Sequence, residues 1–316
     1  MASLRQLLLV ALVFGALFSP VAANAVEPPK PQNTKNGITI SPFLQQINIL
    51  PDDGTKSFTL KLTNNTSNLQ ELILTSRDFG SLNDTGGVLL EGNPNYTQKY
   101  GLTSWMTLGT NTIVLQPKES KEVPVAITNR ASLQPGGHYA AVVVSVKALD
   151  TVTGNAVAIN QQLMSLILVN KAGGERYALK LAGIQENGNW LRLPNTVKLR
   201  FQNPGNVHVI PRGTVLLKDP TGKILAKGII NAESAYVLPE TFRELYVPLA
   251  KVSNDLPFPG AYRVEVNYRY DGINKTAQKS SIVKFINLKL FIFLIVFALI
   301  IWKAVSNYKS YPKKSK

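Results

Sequence analysis

Residues 58–62, FTLKL, alternate apolar and polar side chains and run straight into the turn cluster NNTSN. The same period of two recurs in VKLRF (197–201) and YRVEVNYRY (262–270), and less cleanly in VPVAI (123–127). Successive side chains of a strand point to opposite faces. A run of this kind bounded by Gly, Pro, Asn and Asp therefore predicts a half-buried antiparallel strand. AAVVVSV (140–146) and LMSLILV (163–169) are more continuous, as the central strands of a sandwich are. Between the two termini no helical period stands out, and the 19 Pro and 22 Gly fall mostly between the strand-like runs. The expected fold class is all-β.

Three signals recur in one order. A strand ending in an Asn-rich turn occurs at FTLKLTNNTSN (58–68) and at VKLRFQNPGN (197–206). LQPKESKEVPVAI (115–127) is echoed by LPETFRELYVPLA (238–250), and LQPGGHYAAVVV (133–144) by LPFPGAYRVEV (256–266). The second and third signals shift by 122 residues (Pro117 to Pro239) and 123 residues (Gly137 to Gly260), the first by 139 (Asn64 to Asn203). Two copies of one Ig-like β-sandwich are the economical explanation, over 37–171 and 172–285. In such a sandwich a Tyr at the start of a late strand can turn its hydroxyl back onto the backbone and pin the corner. Tyr139 and Tyr262 occupy that place, with Gly137 and Gly260 supplying backbone freedom for the tight corner. Ala261 stands where the first copy has His138, so His138 is expected to be dispensable.

The chain has 316 residues and no cysteine, and its only histidines are His138 and His208. Three or four His/Cys zinc ligands cannot be assembled from these. Neither histidine has a nucleophile and an orienting acid nominated beside it, and both are expected to be exposed loop residues. LPETF (238–242) and Ser281-Ile282-Val283-Lys284 resemble a sorting signal and a penicillin-binding motif, but each lacks its companion residues. Asp52-Asp53-Gly54 and Asp219-Pro220-Thr221-Gly222-Lys223 read as turns between strands. No enzyme, cofactor or metal site is expected.

The ends carry different signals. Arg5, the apolar run at 7–18, Pro20 and Ala23-Asn24-Ala25 have the order of a secretory signal peptide, cut after Ala25, with a linker at 26–36. At the other end, Lys289 and Lys303 bracket an apolar run at 290–302. With both lysines snorkelling, 286–305 is expected to be a single membrane span, followed by a Lys-rich cytoplasmic tail at 306–316 and leaving 26–285 outside the cytoplasm. An exported chain without cysteine points to a bacterial envelope protein. Residues 26–171 hold 11 Lys/Arg against 10 Asp/Glu, whereas 172–285 hold 16 against 9. The second copy is thus the basic one, suited to an anionic wall polymer or lipid headgroup. No aromatic-interleaved basic stripe suggests nucleic acid.

ISPFLQQINILPDDGTKSFTLKLTNNTSN, Trp105, LQPKESKEVPVAI and PGGHYAAVVV together resemble the N-terminal domain of the bacterial WxL-interacting cell-surface proteins. The likeness spans about 38–147; residues 196–229 are closer to a general bacterial Ig-like module. It implies two Ig-like domains on a membrane anchor, a first domain associated with peptidoglycan, and display of an exported partner. The expected function is accordingly a non-enzymatic surface protein that binds wall polymer or an exported surface protein. The alternative is an accessory or chaperone-like subunit of an envelope complex that uses a sheet edge.

Overall fold

The structure is a computed structural model. It describes residues 37–91, 94–147, 162–253, 255, 257–272 and 276–309. The expected signal peptide, the linker and the tail beyond 309 lie outside the described residues. Every element below belongs to the compact unit Ile38–Lys316.

The first ten strands are β1 (Ile38–Ser41), β2 (Leu44–Ile49), β3 (Thr55–Asn64), β4 (Gln70–Leu82), β5 (Gly87–Leu90), β6 (Met106–Leu108), β7 (Thr112–Leu115), β8 (Ser120–Thr128), β9 (Gly136–Val146) and β10 (Gln162–Lys171). They form two sheets, β1-β3-β8-β6 and β2-β10-β9-β4-β5, with β7 also on β4. Across a cis Ser41–Pro42 peptide the chain changes sheet: β1 pairs antiparallel with β3, and β2 pairs parallel with β10. Leu60 and Leu62 of β3 and Val123, Val125 and Ile127 of β8 face Leu72, Leu74, Ala140, Val142, Val144 and Ile167 of the other sheet. The period of two seen in FTLKL and VPVAI is thus the inward face of one sheet.

The next eight strands are β11 (Lys180–Glu186), β12 (Thr196–Gln202), β13 (Arg212–Lys218), β14 (Ile224–Ile230), β15 (Phe242–Pro248), β16 (Ala250–Lys251), β17 (Gly260–Arg269) and β18 (Ala277–Phe285). They form a three-stranded sheet β11-β12-β15 and a five-stranded sheet β16-β14-β13-β17-β18. Val197, Leu199 and Phe201 meet Val215, Leu217, Tyr262, Val264 and Val266 in a second core.

β9 is buried along nine successive residues, Gly136–Val144. Its even positions belong to the first core, while Tyr139, Ala141 and Val143 join Phe79, Tyr100, Leu168 and Leu238 in a third cluster between the halves. Burial on both faces is why AAVVVSV shows no alternation.

The Asn-rich turns have a common construction. Asn64, fully buried, donates from Nδ2 to the carbonyls of Asn68, Leu115 and Gln116, and its Oδ1 accepts from the Thr66 N–H. Asn203, also fully buried, donates to Val207 and Val237 and accepts from the Gly205 N–H. Each amide closes its own turn and ties it to the turn ahead of the next signal. An apolar residue there would leave several buried carbonyls unpaired.

Two α-helices, α1 (Pro94–Tyr100) and α2 (Leu288–Lys309), and short 3-10 turns at Asn83–Thr85 and Thr103–Trp105 complete the described chain. The expected membrane span and the single-pass localisation built on it are corrected here. Among the described residues no helix is long and apolar enough to cross a membrane. The physical reason is length: the uninterrupted apolar run holds 13 residues, roughly 20 Å of helix against a hydrocarbon core of about 30 Å. Lys303 is exposed on α2, and the side chain of Lys289 lies outside the described residues.

Candidate functional site

The corner ahead of β9 differs from its expected form. Tyr262 begins the core face of β17, and its hydroxyl donates to the Phe258 carbonyl, four residues back, at 2.7 Å. On β9 the residue with that orientation is His138. Its Nε2 contacts the Gln134 carbonyl, again four residues back, at 2.7 Å, and its Nδ1 lies 3.1 Å from the Gly101 carbonyl. His138 is 3% exposed and its ring lies 5.9 Å from that of Trp105. It is therefore a buried strand residue and not the exposed loop residue expected. Two carbonyls face a ring that, when neutral, has one N–H to give. Burial nevertheless holds the pKa of His138 below the ordinary histidine value, with Lys171 adding to the effect against the carbonyl contacts and Asp78.

Tyr139 stands one residue further on and faces the opposite way. Its fully buried hydroxyl accepts the backbone N–H of His208 at 3.0 Å and lies 3.2 Å from His208 Nδ1. The tyrosine thus ties the first half to the second. The two glycines serve close approach: neither has a positive φ, and in the first corner that conformation falls on Gly136, at φ 126°. A Cβ on Gly137 would collide with the Tyr139 hydroxyl, and one on Gly260 would sit 2.7 Å from Pro220 Cγ.

His208 is not an exposed loop residue either. Its ring packs edge-on against Tyr139 at 5.7 Å and Tyr236 at 5.3 Å. Burial pulls its pKa down to about 4, against a weaker upward pull from Asp271. Around it, Asp84 pairs with Arg200 at 2.6 Å, Lys99 pairs with Glu240, and the Gly137 N–H donates to Asn206 at 2.8 Å. These contacts bind the halves together. Among the described residues no group of three or more His, Cys, Asp or Glu is placed to hold a metal ion.

An open concavity lies between the edges of β14 and β15. It measures about 890 Å³, and Ile229, Leu245, Tyr246 and Val252 give it an apolar lining. Ile229, Tyr246 and Val252 are each 64–67% exposed, so this apolar surface is open to solvent. Gly228 shapes its closed end: a Cβ there would lie 2.6 Å from the Pro248 carbonyl and 2.5 Å from Val247 Cγ1. Only glycine lets the two sheets approach so closely at that point.

The backbone along this groove is available for pairing. β12 and β15 run antiparallel, and bonds from the Asn203 N–H to Thr241 O and from the Leu249 N–H to Asn195 O bracket the pair. Alternation between those bonds puts Arg243, Leu245 and Val247 on the bonded rungs and turns the N–H and C=O groups of Phe242, Glu244 and Tyr246 away from β12. No described strand pairs with that side of β15. On the facing wall, the Val252 N–H bond to Leu225 O and the Lys227–Ala250 pair make Ile229 the next residue of β14 to point outward. Pro248, which has no N–H, ends the open row.

Several other edges are protected, although β2, six residues long and paired only with β10, is a second edge without such features. β1, β5, β6 and β7 have three or four residues, β11 is irregular between Leu181 and Gly183, and β18 carries Lys279 and Lys284. Short edges, bulges and edge lysines all discourage pairing with another chain. The β15 edge has seven residues in unbroken register. Its charged side chains are turned to internal partners, Glu244 to Lys198 at 3.0 Å and Arg243 to the Tyr236 carbonyl at 2.7 Å.

No family model and no curated protein matches the chain. Solved structures similar to it include a fimbrial chaperone–tip adhesin complex of CFA/I fimbriae biogenesis, at 14% identity, covering 78% of this chain and 98% of that one, TM-score 0.43. The class 5 fimbriae chaperone CfaA matches at 14% identity over 78% and 99% of the two chains, TM-score 0.42. The Escherichia coli chaperone DraB matches at 13% identity over 77% and 98%, TM-score 0.35. These comparisons lend no support to the expected peptidoglycan binding, and the WxL likeness stays a resemblance of sequence.

Proposed function

We propose that this chain is a non-enzymatic accessory protein, made of two Ig-like sandwiches at 37–171 and 172–285, that holds an extended segment of an exported polypeptide by strand addition. The observation that carries the reading is the open edge of β15, with its outward backbone groups at Phe242, Glu244 and Tyr246 beside a solvent-open apolar groove. Main-chain pairing along such an edge supplies affinity whatever the side chains, and the groove selects every second one. This is the chaperone-like alternative drawn from the sequence, now with a particular edge attached to it.

The test is binding of a ten-residue alternating Thr-Val peptide to the full chain, read by fluorescence anisotropy. Tyr246→Pro deletes an outward N–H without touching a bonded rung of β15. It is expected to weaken peptide binding at least about tenfold while leaving Tm near wild type. Equal binding by wild type and variant would remove β15 as the site, and no binding by either would overturn strand addition altogether.

A further inference from the structure

Arg243 lies where the groove meets the first half. Its Nη1 donates to the Tyr236 carbonyl at 2.7 Å, but its Nε is buried without any hydrogen-bond partner. The guanidinium packs on the backbone of Gly86, which has φ 75° and where any Cβ would collide with it. No carboxylate among the described residues comes within ion-pair distance of Arg243 or of Lys227 on the facing wall. Of the two acids lining the groove, Glu244 is already held by Lys198, which leaves Glu233. Two cations without an ion-pair partner therefore line the groove with one such acid. A guanidinium withdrawn from water without a carboxylate is destabilising unless the bound state supplies one. Burial also pulls the Arg243 pKa down, with Glu233 compensating only in part.

We infer that the segment held in this groove carries an Asp or Glu side chain that pairs with Arg243 at the end of the groove that meets the first half. The inference rests on the strand-addition reading above. That reading makes the main chain of the segment the source of affinity; the carboxylate sets its register and selects among extended sequences. Guanidinium and carboxylate meet in a fixed fork geometry, so the pairing positions the segment as well as attracting it. Lys227, across the groove, adds a second positive charge with no geometric demand.

The test uses four versions of the Thr-Val peptide, with Glu, Gln, Lys or Val at the position nearest either end, against the full chain. The Glu peptide is expected to bind about tenfold more tightly than the Gln peptide, and the Lys peptide more weakly than either, with the preference shrinking as salt is raised. In Arg243→Met the Glu and Gln peptides should bind alike, while both still bind more tightly than to Tyr246→Pro. If the Glu, Gln and Lys peptides bind wild type equally and Tyr246→Pro still weakens binding, strand addition stands and the carboxylate is refuted. If Arg243→Met retains the full Glu preference, Arg243 is not its receptor. The comparison of peptides on wild type needs no folded variant, so misfolding of Arg243→Met leaves the inference exposed to refutation.

Discussion

His138 and Tyr262 show how little separates a corner from an interface. Each reaches a carbonyl four residues back at 2.7 Å, through a ring nitrogen in one and a phenol in the other. The expectation that Tyr139 pairs with Tyr262 came from aligning Gly-x-Tyr in both corners. A slip of one residue along a strand moves every side chain to the other face, and composition at a corner does not reveal the phase. His138→Ala is expected to destabilise the chain by about 1–3 kcal/mol in urea denaturation, because it removes a buried ring and leaves the Gln134 carbonyl unpaired. Tyr262→Phe should cost about 1 kcal/mol by the same measurement. A neutral result for His138→Ala would show that its contacts with the Gln134 and Gly101 carbonyls do not hold the corner. Asn64 and Asn203 were legible, because an amide between two strand signals is the residue type that can close a turn from inside.

At the scale of elements, the alternation in FTLKL, VKLRF and YRVEVNYRY located β3, β12 and β17, since period two is a local property of the strand. The groove was not legible in the same way. FRELYVP reads as a strand, but whether a strand lies at an edge depends on which others pair with it, and that is set by topology. Nor does the sequence around Gly228 reveal that the chain crosses between sheets beside it. Gly228→Ala is expected to force the Pro248 carbonyl and Val247 aside, lowering stability by about 1–3 kcal/mol and widening the closed end of the groove. Thermal melting together with Thr-Val peptide affinity checks both effects. Unchanged melting would show that β14 and β15 are not in fact locked together there.

Over the whole molecule, the halves meet through buried aromatic rings and paired charges around His208 and Tyr139. A histidine whose folded pKa is about 4 binds its proton less readily than the same residue unfolded, near 6.5. As pH falls, the unfolded chain is protonated first. The stability contributed by neutral His208 is therefore complete above about pH 6.5 and lost progressively toward pH 4, up to roughly 3 kcal/mol. The downward shift of His138 acts in the same direction. Tm should fall between pH 7 and pH 4, and His208→Asn should flatten part of that slope even if its Tm at pH 7 is lower. A wild-type slope kept by His208→Asn would assign the acid sensitivity to other groups. The basic character of 172–285 was readable from composition alone. That its arginines are partly spent on contacts such as Arg200 with Asp84 was not.

Because β9 is buried on both faces, neighbouring residues on it belong to different parts of the molecule. Val142 answers to the core of the first half, Val143 to the seam with the second. Truncation to Ala at Val142 should loosen the first half, and at Val143 the docking of one half on the other. A single strand, walked one residue at a time, can thus separate how firmly each half is built from how firmly the two are joined.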